Sequence, residues 1–346
     1  MRSGYAALIG RPNVGKSTLL NRLLGEKVAI VSPKPQTTRT RILGVVTKPE
    51  GQIAFFDTPG IHQAKGALNK FMVDAALNAA QDSDVVLFLV ETEGIKEDTE
   101  LFVSPGNREV LDRLKSLGKP VILVLTKIDS IKKVLMLPLI DLYRKEYPFL
   151  EIIPVSARHG EGLDLLFEKV LAHLPEGEPI FPPDTLTDQA ERTLVEEFIR
   201  EQVLRHCHQE IPYSVGVVVE VFDEEERDKP PPPKKGAKKG TPSRKDPPAG
   251  KPKLEGLIRI HANVFVERDS QKAIVIGKRG EMLKTIGTDA RMSMQRFFGT
   301  HVFLSLQVKV EPRWTERVDG LRKLGYVSDQ KVAETLGSTA LGGKTR

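Results

Sequence analysis

Gly10-Arg11-Pro12-Asn13-Val14-Gly15-Lys16-Ser17 reads G-x-x-x-x-G-K-S, the spacing of a loop whose backbone N–H groups cradle phosphates. The short apolar run Tyr5–Ile9 precedes it, and the helical spacing of Thr18–Leu24, closed by Gly25, follows it. A strand, a glycine-rich turn and a helix N-terminus together make an anion site, because unpaired N–H groups and the helix dipole point the same way. Lys16 is placed to reach the β- and γ-phosphates, and the Ser17 hydroxyl to take a Mg²⁺ position. The loop implies a nucleotide but does not say which.

The first half of the chain answers that. Val28–Val31 reads as a strand fragment and leads into Gln36-Thr37-Thr38-Arg39-Thr40. That hydroxyl-rich loop either brings a threonine, Thr38, onto Mg²⁺ or is plain solvated loop. Ile42–Thr47 and Gln52–Phe56 read as two strands joined by a turn, and the second delivers Asp57-Thr58-Pro59-Gly60. An aspartate at the carboxyl end of an apolar strand downstream of a P-loop holds Mg²⁺, and Gly60 leaves an N–H for a γ-phosphate oxygen. Asp84–Val90 and Val121–Leu125 are further buried strands. The latter ends in Thr126-Lys127-Ile128-Asp129, where a carboxylate accepts both N–H groups of a guanine edge. Adenine has no such pair. Ser156-Ala157-Arg158 closes the series beside the guanine O6. Strands alternating with helices predict an α/β P-loop NTPase domain, its sheet mostly parallel with helices on both faces and its site at the strand carboxyl ends.

Composition bounds the rest. The chain has 346 residues, 40% of them hydrophobic, one cysteine (Cys207) and a formal net charge of +6. That argues for two domains, no disulfide framework and a reducing, cytoplasmic setting. No signal peptide or membrane span is read in it. The charge is uneven: 229–253 carries nine Lys or Arg against one Asp. This predicts a mobile basic insertion, and a nucleic acid as partner of the second half.

In that half, Thr187–His208 has helical apolar spacing, and Ile211–Phe222 and Leu254–Glu267 alternate as strands. Ile274-Val275-Ile276-Gly277-Lys278-Arg279-Gly280 then precedes a basic helix from Glu281 to Phe298, and Val302–Val310 closes the unit as a strand. A G-x-x-G loop between two helices is the KH clamp, in which glycines admit the nucleic-acid backbone and Lys278 and Arg279 meet phosphates. Ile276, Lys284 and Arg291 complete the expected RNA-binding set. The element order is that of an α+β type-2 KH domain. Trp314 is expected to pack on this domain, Cys207 to be structural, and His206 and His208 to be surface or capping residues.

The series G-R-P-N-V-G-K-S, Q-T-T-R, D-T-P-G-I, T-K-I-D and S-A, with V-E-R-D-S-Q-K later, resembles the Era group of translation-factor-related GTPases. The resemblance covers about residues 4–326. It implies a GTP-binding domain over 1–176, a linker over 177–186, a KH domain over 187–326 interrupted at 228–253, and a tail over 327–346. It also implies Mg²⁺-dependent hydrolysis of GTP to GDP, with Lys16, Asn13, Thr38 and Gly60 as the catalytic set. GTP contacts are expected from Gly10–Thr18, Asp57–Gly60, Thr126, Lys127, Asp129 and Ser156–Arg158. Mg²⁺ would sit on Ser17, Thr38 and Asp57, and a K⁺ ion on Asn13. The implied partner is the 3′ end of small-subunit ribosomal RNA in the assembling 30S subunit, bound by a monomer with peripheral contact at the cytoplasmic face of the membrane. Two features depart from the family pattern: Thr126 replaces the usual Asn, and Leu101–Asn107 resembles an insertion. Ile61 stands where Ras-like enzymes carry a water-orienting Gln, so slow intrinsic turnover is expected. Other readings remain at this level: a signalling or trafficking switch whose second domain binds protein, or an RNA scaffold that holds nucleotide without turnover.

Overall fold

The computed structural model describes residues 1–32, 34, 36–62, 66–96, 100–207, 211–225 and 256–327. The basic insertion expected at 228–253, all of the tail beyond Val327, and His208 lie outside them.

The apolar run ahead of the P-loop forms β1 (Arg2–Gly10), and α1 (Lys16–Leu24) starts inside the G-K-S segment. It stops at Gly25, whose φ of 74° is left-handed. Val28–Val31 is not a strand. The Asn21 side chain takes the ladder's place, with Oδ1 accepting from the Val28 and Ala29 N–H groups and Nδ2 donating to the Ala29 carbonyl. There follow β2 (Ile42–Lys48), β3 (Gly51–Asp57), α2 (Ala67–Asp82), β4 (Val85–Glu91), α3 (Pro105–Leu117), β5 (Val121–Thr126), α4 (Met136–Glu146), β6 (Ile152–Pro154) and α5 (Leu163–Ala172). The stretch that resembled an insertion ends as a helix start: Ser104 caps α3 by accepting the Asn107 N–H, with Pro105 in the first turn.

These strands form one sheet in the order β2-β3-β1-β4-β5-β6. Only the β2–β3 hairpin is antiparallel. Both faces are covered, which is why β1, β4 and β5 read as near-continuous apolar runs. Leu8, Leu87 and Val124 pack into one core with α1 and α5, and Ala7, Phe88 and Leu123 into the other with α2 and α3. The carboxyl ends of β1, β3 and β5 therefore open at one edge of a rigid slab.

The stretch at 177–186 is pinned along the sheet: the Leu186 carbonyl accepts the Val45 N–H, and Phe181 exchanges two hydrogen bonds with the Gln52 side chain. Beyond it come α6 (Glu191–His206), α7 (Ile211–Ser214), β7 (Gly216–Glu225), β8 (Leu257–Val266), α8 (Asp269–Ile276), α9 (Glu281–Phe298), β9 (His301–Val310) and α10 (Val318–Lys323). The strand expected from Ile211 starts only at Gly216, since Pro212 in a first turn favours the short helix before it. The helix expected from Thr187 starts at Glu191, because the Thr187 hydroxyl accepts the Gln189 N–H and holds a turn instead. The second sheet has the order β7-β8-β9, with β7 antiparallel and β9 parallel to β8. The three helices α6, α8 and α9 cover one face of it. Trp314 is fully buried and donates to the Ser214 carbonyl at 2.8 Å.

Candidate functional site

The P-loop curls around a cavity of about 500 Å³ lined by Pro12, Asn13, Gly15, Lys16, Ser17, Thr18, Thr37, Thr38, Thr58, Gly60 and Lys127. Its shape depends on backbone contact that side chains would block. A Cβ on Gly60 would lie 2.5 Å from the Pro12 nitrogen, and one on Gly10 2.6 Å from the Leu89 carbonyl oxygen. The Ile61 N–H donates to the Gly10 carbonyl at 3.0 Å, which fastens the aspartate motif to the P-loop. Ile61 itself is 2% exposed and belongs to the core. It cannot orient a water.

Four predicted residues meet beside the cavity, Asp57 fully buried behind the other three. Lys16 is buried, and its Nζ donates to the Gly10 carbonyl at 3.2 Å and the Arg11 carbonyl at 2.9 Å. Burial brings its pKa down to about 8, against the opposing charges of Asp57 and Glu91. The Ser17 hydroxyl donates to Asp57 Oδ2 at 2.6 Å and lies 2.9 Å from Thr38 Oγ1, which is 3.0 Å from the same carboxylate oxygen. Burial lifts the Asp57 carboxyl above the usual carboxylate range, although Ser17, Lys16 and Thr38 all oppose the shift. Its other oxygen, Oδ1, is buried and accepts no hydrogen bond among the described residues. Two hydroxyls and a carboxylate with an unpaired oxygen are a hard-oxygen donor set, which suits Mg²⁺. The residues present fit the metal.

A smaller adjoining cavity of about 270 Å³ gathers Gly15, Thr18, Thr126, Lys127, Asp129, Ala157 and Arg158. These come from three separate strand ends. Ser156 donates to Asp129 Oδ1 at 2.6 Å and so holds the carboxyl below its usual range, as an ionised acceptor. The Lys127 backbone is left-handed (φ 58°), and its Nζ bridges Glu91 and Glu93 at 2.6 Å each. Burial disfavours its charge, but those two carboxylates outweigh the effect and raise its pKa. Thr126 explains itself in this setting: its hydroxyl donates to the Val14 carbonyl at 2.7 Å, tying the base motif to the P-loop.

The second unit carries its own opening, of about 900 Å³, between α9 and the β8–β9 edge. Gly280, Lys284 and Arg291, three of the residues expected to meet RNA, line it. Gly277 (φ 73°) and Gly280 (φ 81°) make the turn into α9, with Arg279 between them at φ 53°, and Lys278 and Arg279 exposed. A Cβ on Gly277 would meet that of Met282 at 2.5 Å. Ile276, also predicted, is partly buried and packs on the core of this unit. Sequence reasoning missed Arg259, His301 and Phe303, which line the opposite wall, Phe303 with 48% of its surface exposed. An exposed aromatic in a strand pattern was the available signal.

The comparisons agree with this geometry. A family model described as "50S ribosome-binding GTPase" matches residues 5–127, and a KH-domain model matches 249–315. The GTPase Era of Geotalea uraniireducens is 46% identical over 327 residues, covering 94% of this chain and 98% of that one. The chain belongs to the Era GTPase family. Era of Syntrophus aciditrophicus is 45% identical, over 94% and 95% of the two chains. Among solved structures, a variant of Aquifex aeolicus Era bound to GDP.AlF4- superposes with a TM-score of 0.81 at 38% identity, covering 95% of this chain and all of that one. Era in complex with MgGDPNP and nucleotides 1506–1542 of 16S ribosomal RNA does so equally, at 39% identity. Within the Era family the chain is thus a P-loop GTP hydrolase followed by a KH domain, and its coverage includes both units.

Sequence reasoning also passed over polar contacts at the junction of the two units. Lys27 pairs with the buried Glu201 of α6, and Lys34 donates to the Leu204 and Cys207 carbonyls at the end of that helix. A lysine at a helix C-terminus meets carbonyls that have no partner within the helix. His206, expected to be a surface or capping residue, pairs with Asp289 of α9 at 2.8 Å.

Proposed function

We propose that this chain hydrolyses GTP as a slow timer, and that its nucleotide state controls how the KH opening binds the 3′ end of small-subunit ribosomal RNA during 30S assembly. The observation that carries the reading is the pairing, in one chain, of an assembled Mg²⁺ donor set with a basic, aromatic-walled opening behind a G-x-x-G loop. The Era complex with MgGDPNP and 16S nucleotides 1506–1542, to which the chain is similar over 95% of its length, supports it.

Mg²⁺ would be held by Ser17, Thr38 and the Asp57 carboxylate, and when bound it supplies positive charge at the phosphates. The P-loop amides and Lys16 orient the transferring phosphoryl group and neutralise its oxygens, while Gly60 offers its N–H from the other side. Asp129 selects guanine, and Lys127 lies along the base. Asn13 lines the same cavity, and its amide oxygen is the group that would hold a K⁺ ion beside the phosphates. With Ile61 in place of a glutamine, intrinsic turnover is slow. The protein acts as a cytoplasmic monomer with peripheral membrane contact. Among the described residues no helix is long and apolar enough to cross a membrane.

The test is binding to an RNA ending in the small-subunit 3′ sequence, with GTP turnover measured in its presence and absence. Salt-sensitive binding that Gly277→Asp/Gly280→Asp abolishes is expected. RNA binding unchanged by that pair, with turnover intact, points instead to a switch whose second unit binds protein. Absence of turnover under all conditions leaves only a nucleotide-holding scaffold.

A further inference from the structure

The loop that carries Thr38 is gripped from its far side by the RNA-binding unit. Arg200 of α6 is 1% exposed. Its Nη2 donates to the Thr37 carbonyl and its Nη1 to the Gln36 carbonyl at 3.5 Å, while Glu197 holds the guanidinium through Nε at 3.0 Å. Arg39 reaches in the opposite direction. It is also 1% exposed, donates to the carbonyls of Val215 and Tyr213 and to the Tyr326 hydroxyl, and lies 5.5 Å over the Trp314 ring. Thr38 stands between these two anchors, with its hydroxyl on Ser17 and Asp57. Two consecutive side chains, Thr38 and Arg39, therefore end on different units of the molecule.

We propose that Arg200 and Arg39, which bridge the junction between the two units from opposite sides, are positioning residues for GTP hydrolysis. By fixing the Gln36 and Thr37 carbonyls and the Arg39 side chain against the KH unit, they keep the Thr38 hydroxyl in the metal donor set. A flexible loop would otherwise lose conformational freedom each time it closed on the nucleotide. Here that ordering is done beforehand by contacts remote from the phosphates. The same contacts make the coupling reciprocal. If the KH unit in this arrangement favours the triphosphate state by some factor, the triphosphate favours this arrangement by the same factor. The proposal rests on the nucleotide-gated reading above and identifies the groups that carry the gating.

The experiment uses the full chain, with Arg200→Gln, Arg200→Lys and Arg39→Lys. Affinities for GDP and for the non-hydrolysable analogue GDPNP are measured across a Mg²⁺ titration, together with kcat and KM for GTP. RNA affinity is then measured with and without GDPNP. Retained GDP affinity reports an intact P-loop. Arg200→Gln is expected to lower the GDPNP-over-GDP preference by roughly tenfold, the effect of losing hydrogen bonds from one charged donor. It should also raise the Mg²⁺ requirement and reduce kcat. Arg200→Lys should recover part of this, because an ammonium can still meet one carbonyl. The GDPNP-induced change in RNA affinity should shrink by the same factor. Should Arg200→Gln not fold, Arg39→Lys carries the test, because it keeps the charge and removes the fork. A wild-type preference for GDPNP in both Arg200→Gln and Arg39→Lys overturns the proposal. Loss of that preference in variants of a protein whose RNA binding ignores nucleotide supports the positioning role and instead overturns the gating reading.

Discussion

The Thr126 hydroxyl donates to the Val14 carbonyl at 2.7 Å, across 112 residues of sequence and between two strand ends that do not neighbour each other in the sheet. It also approaches the Val90 carbonyl at 3.3 Å. One hydrogen bond therefore couples the P-loop to the T-K-I-D motif. Thr126→Val keeps the shape and removes the donor, leaving a buried carbonyl without its partner. Loss of about 1–3 kcal/mol of GDP affinity is expected by titration calorimetry, with Thr126→Ser near wild type. Equal affinities for the Val and Ser variants would show that the bond does not matter.

Nucleotide binding should take up protons. Burial brings Lys16 down to about 8, and phosphate oxygens placed beside its ammonium favour the charged form. Uptake is therefore small at neutral pH and grows as pH rises through about 8. Binding enthalpies measured in buffers of different ionisation enthalpy read this number directly, and Lys16→Arg should abolish the dependence.

Asp57 works in the opposite sense. Its folded pKa lies above its unfolded one because burial disfavours the carboxylate. Its stabilising contribution to the nucleotide-free fold is thus complete below about pH 4 and is lost as pH rises through the raised value. Nucleotide-free Asp57→Asn should accordingly melt above wild type at neutral pH, and the gap should narrow on acidification. Mg²⁺ affinity in the wild type should rise over the same window, since the metal needs the carboxylate. Thermal melts across pH, with and without Mg²⁺, check both signs.

On the RNA side, Lys278→Ala and Arg279→Ala should each weaken binding to all sequences alike and reduce the slope of log K against log salt by about one. Phe303→Ala removes an exposed ring rather than a charge. It should cost about 1–3 kcal/mol, as for a stacked base, and leave the salt slope unchanged. Titrations at several salt concentrations separate the two kinds of contact.

If Asn13 carries a K⁺ ion, GTP turnover should be faster in K⁺ than in Na⁺ buffer, and Asn13→Ala should erase the difference. Equal turnover of the wild type in the two buffers would remove the ion from the mechanism.

Much of the nucleotide site was legible in the chain because each of its parts is local. The P-loop needs only a strand, two glycines and a helix start. D-T-P-G and T-K-I-D are strand ends, and alternating βα units bring such ends to one edge. The strand misassigned at Val28–Val31 failed for a side-chain reason: Asn21 satisfied that backbone, and period and propensity do not report such a bond. The opening in the KH unit was half legible. Gly280, Lys284 and Arg291 lie along α9 and the residue before it, whereas Arg259, His301 and Phe303 come from two strands paired only in the fold.

The sequence by itself pointed to a guanine nucleotide, through the role expected of Asp129, and showed Ile61 where a glutamine could stand. Tertiary structure alone decided what the polar side of α6 is for. Helical spacing distinguishes a polar stripe from an apolar one, and a polar stripe normally faces water. Here Arg200, Glu201 and Gln202 are as buried as the apolar residues: Arg200 meets the Gln36 and Thr37 carbonyls beside Thr38, and Glu201 meets Lys27 and the Val31 N–H. Periodicity records which residues share a face of a helix. It cannot record what another unit brings against that face, and in this protein that is the loop at the phosphates.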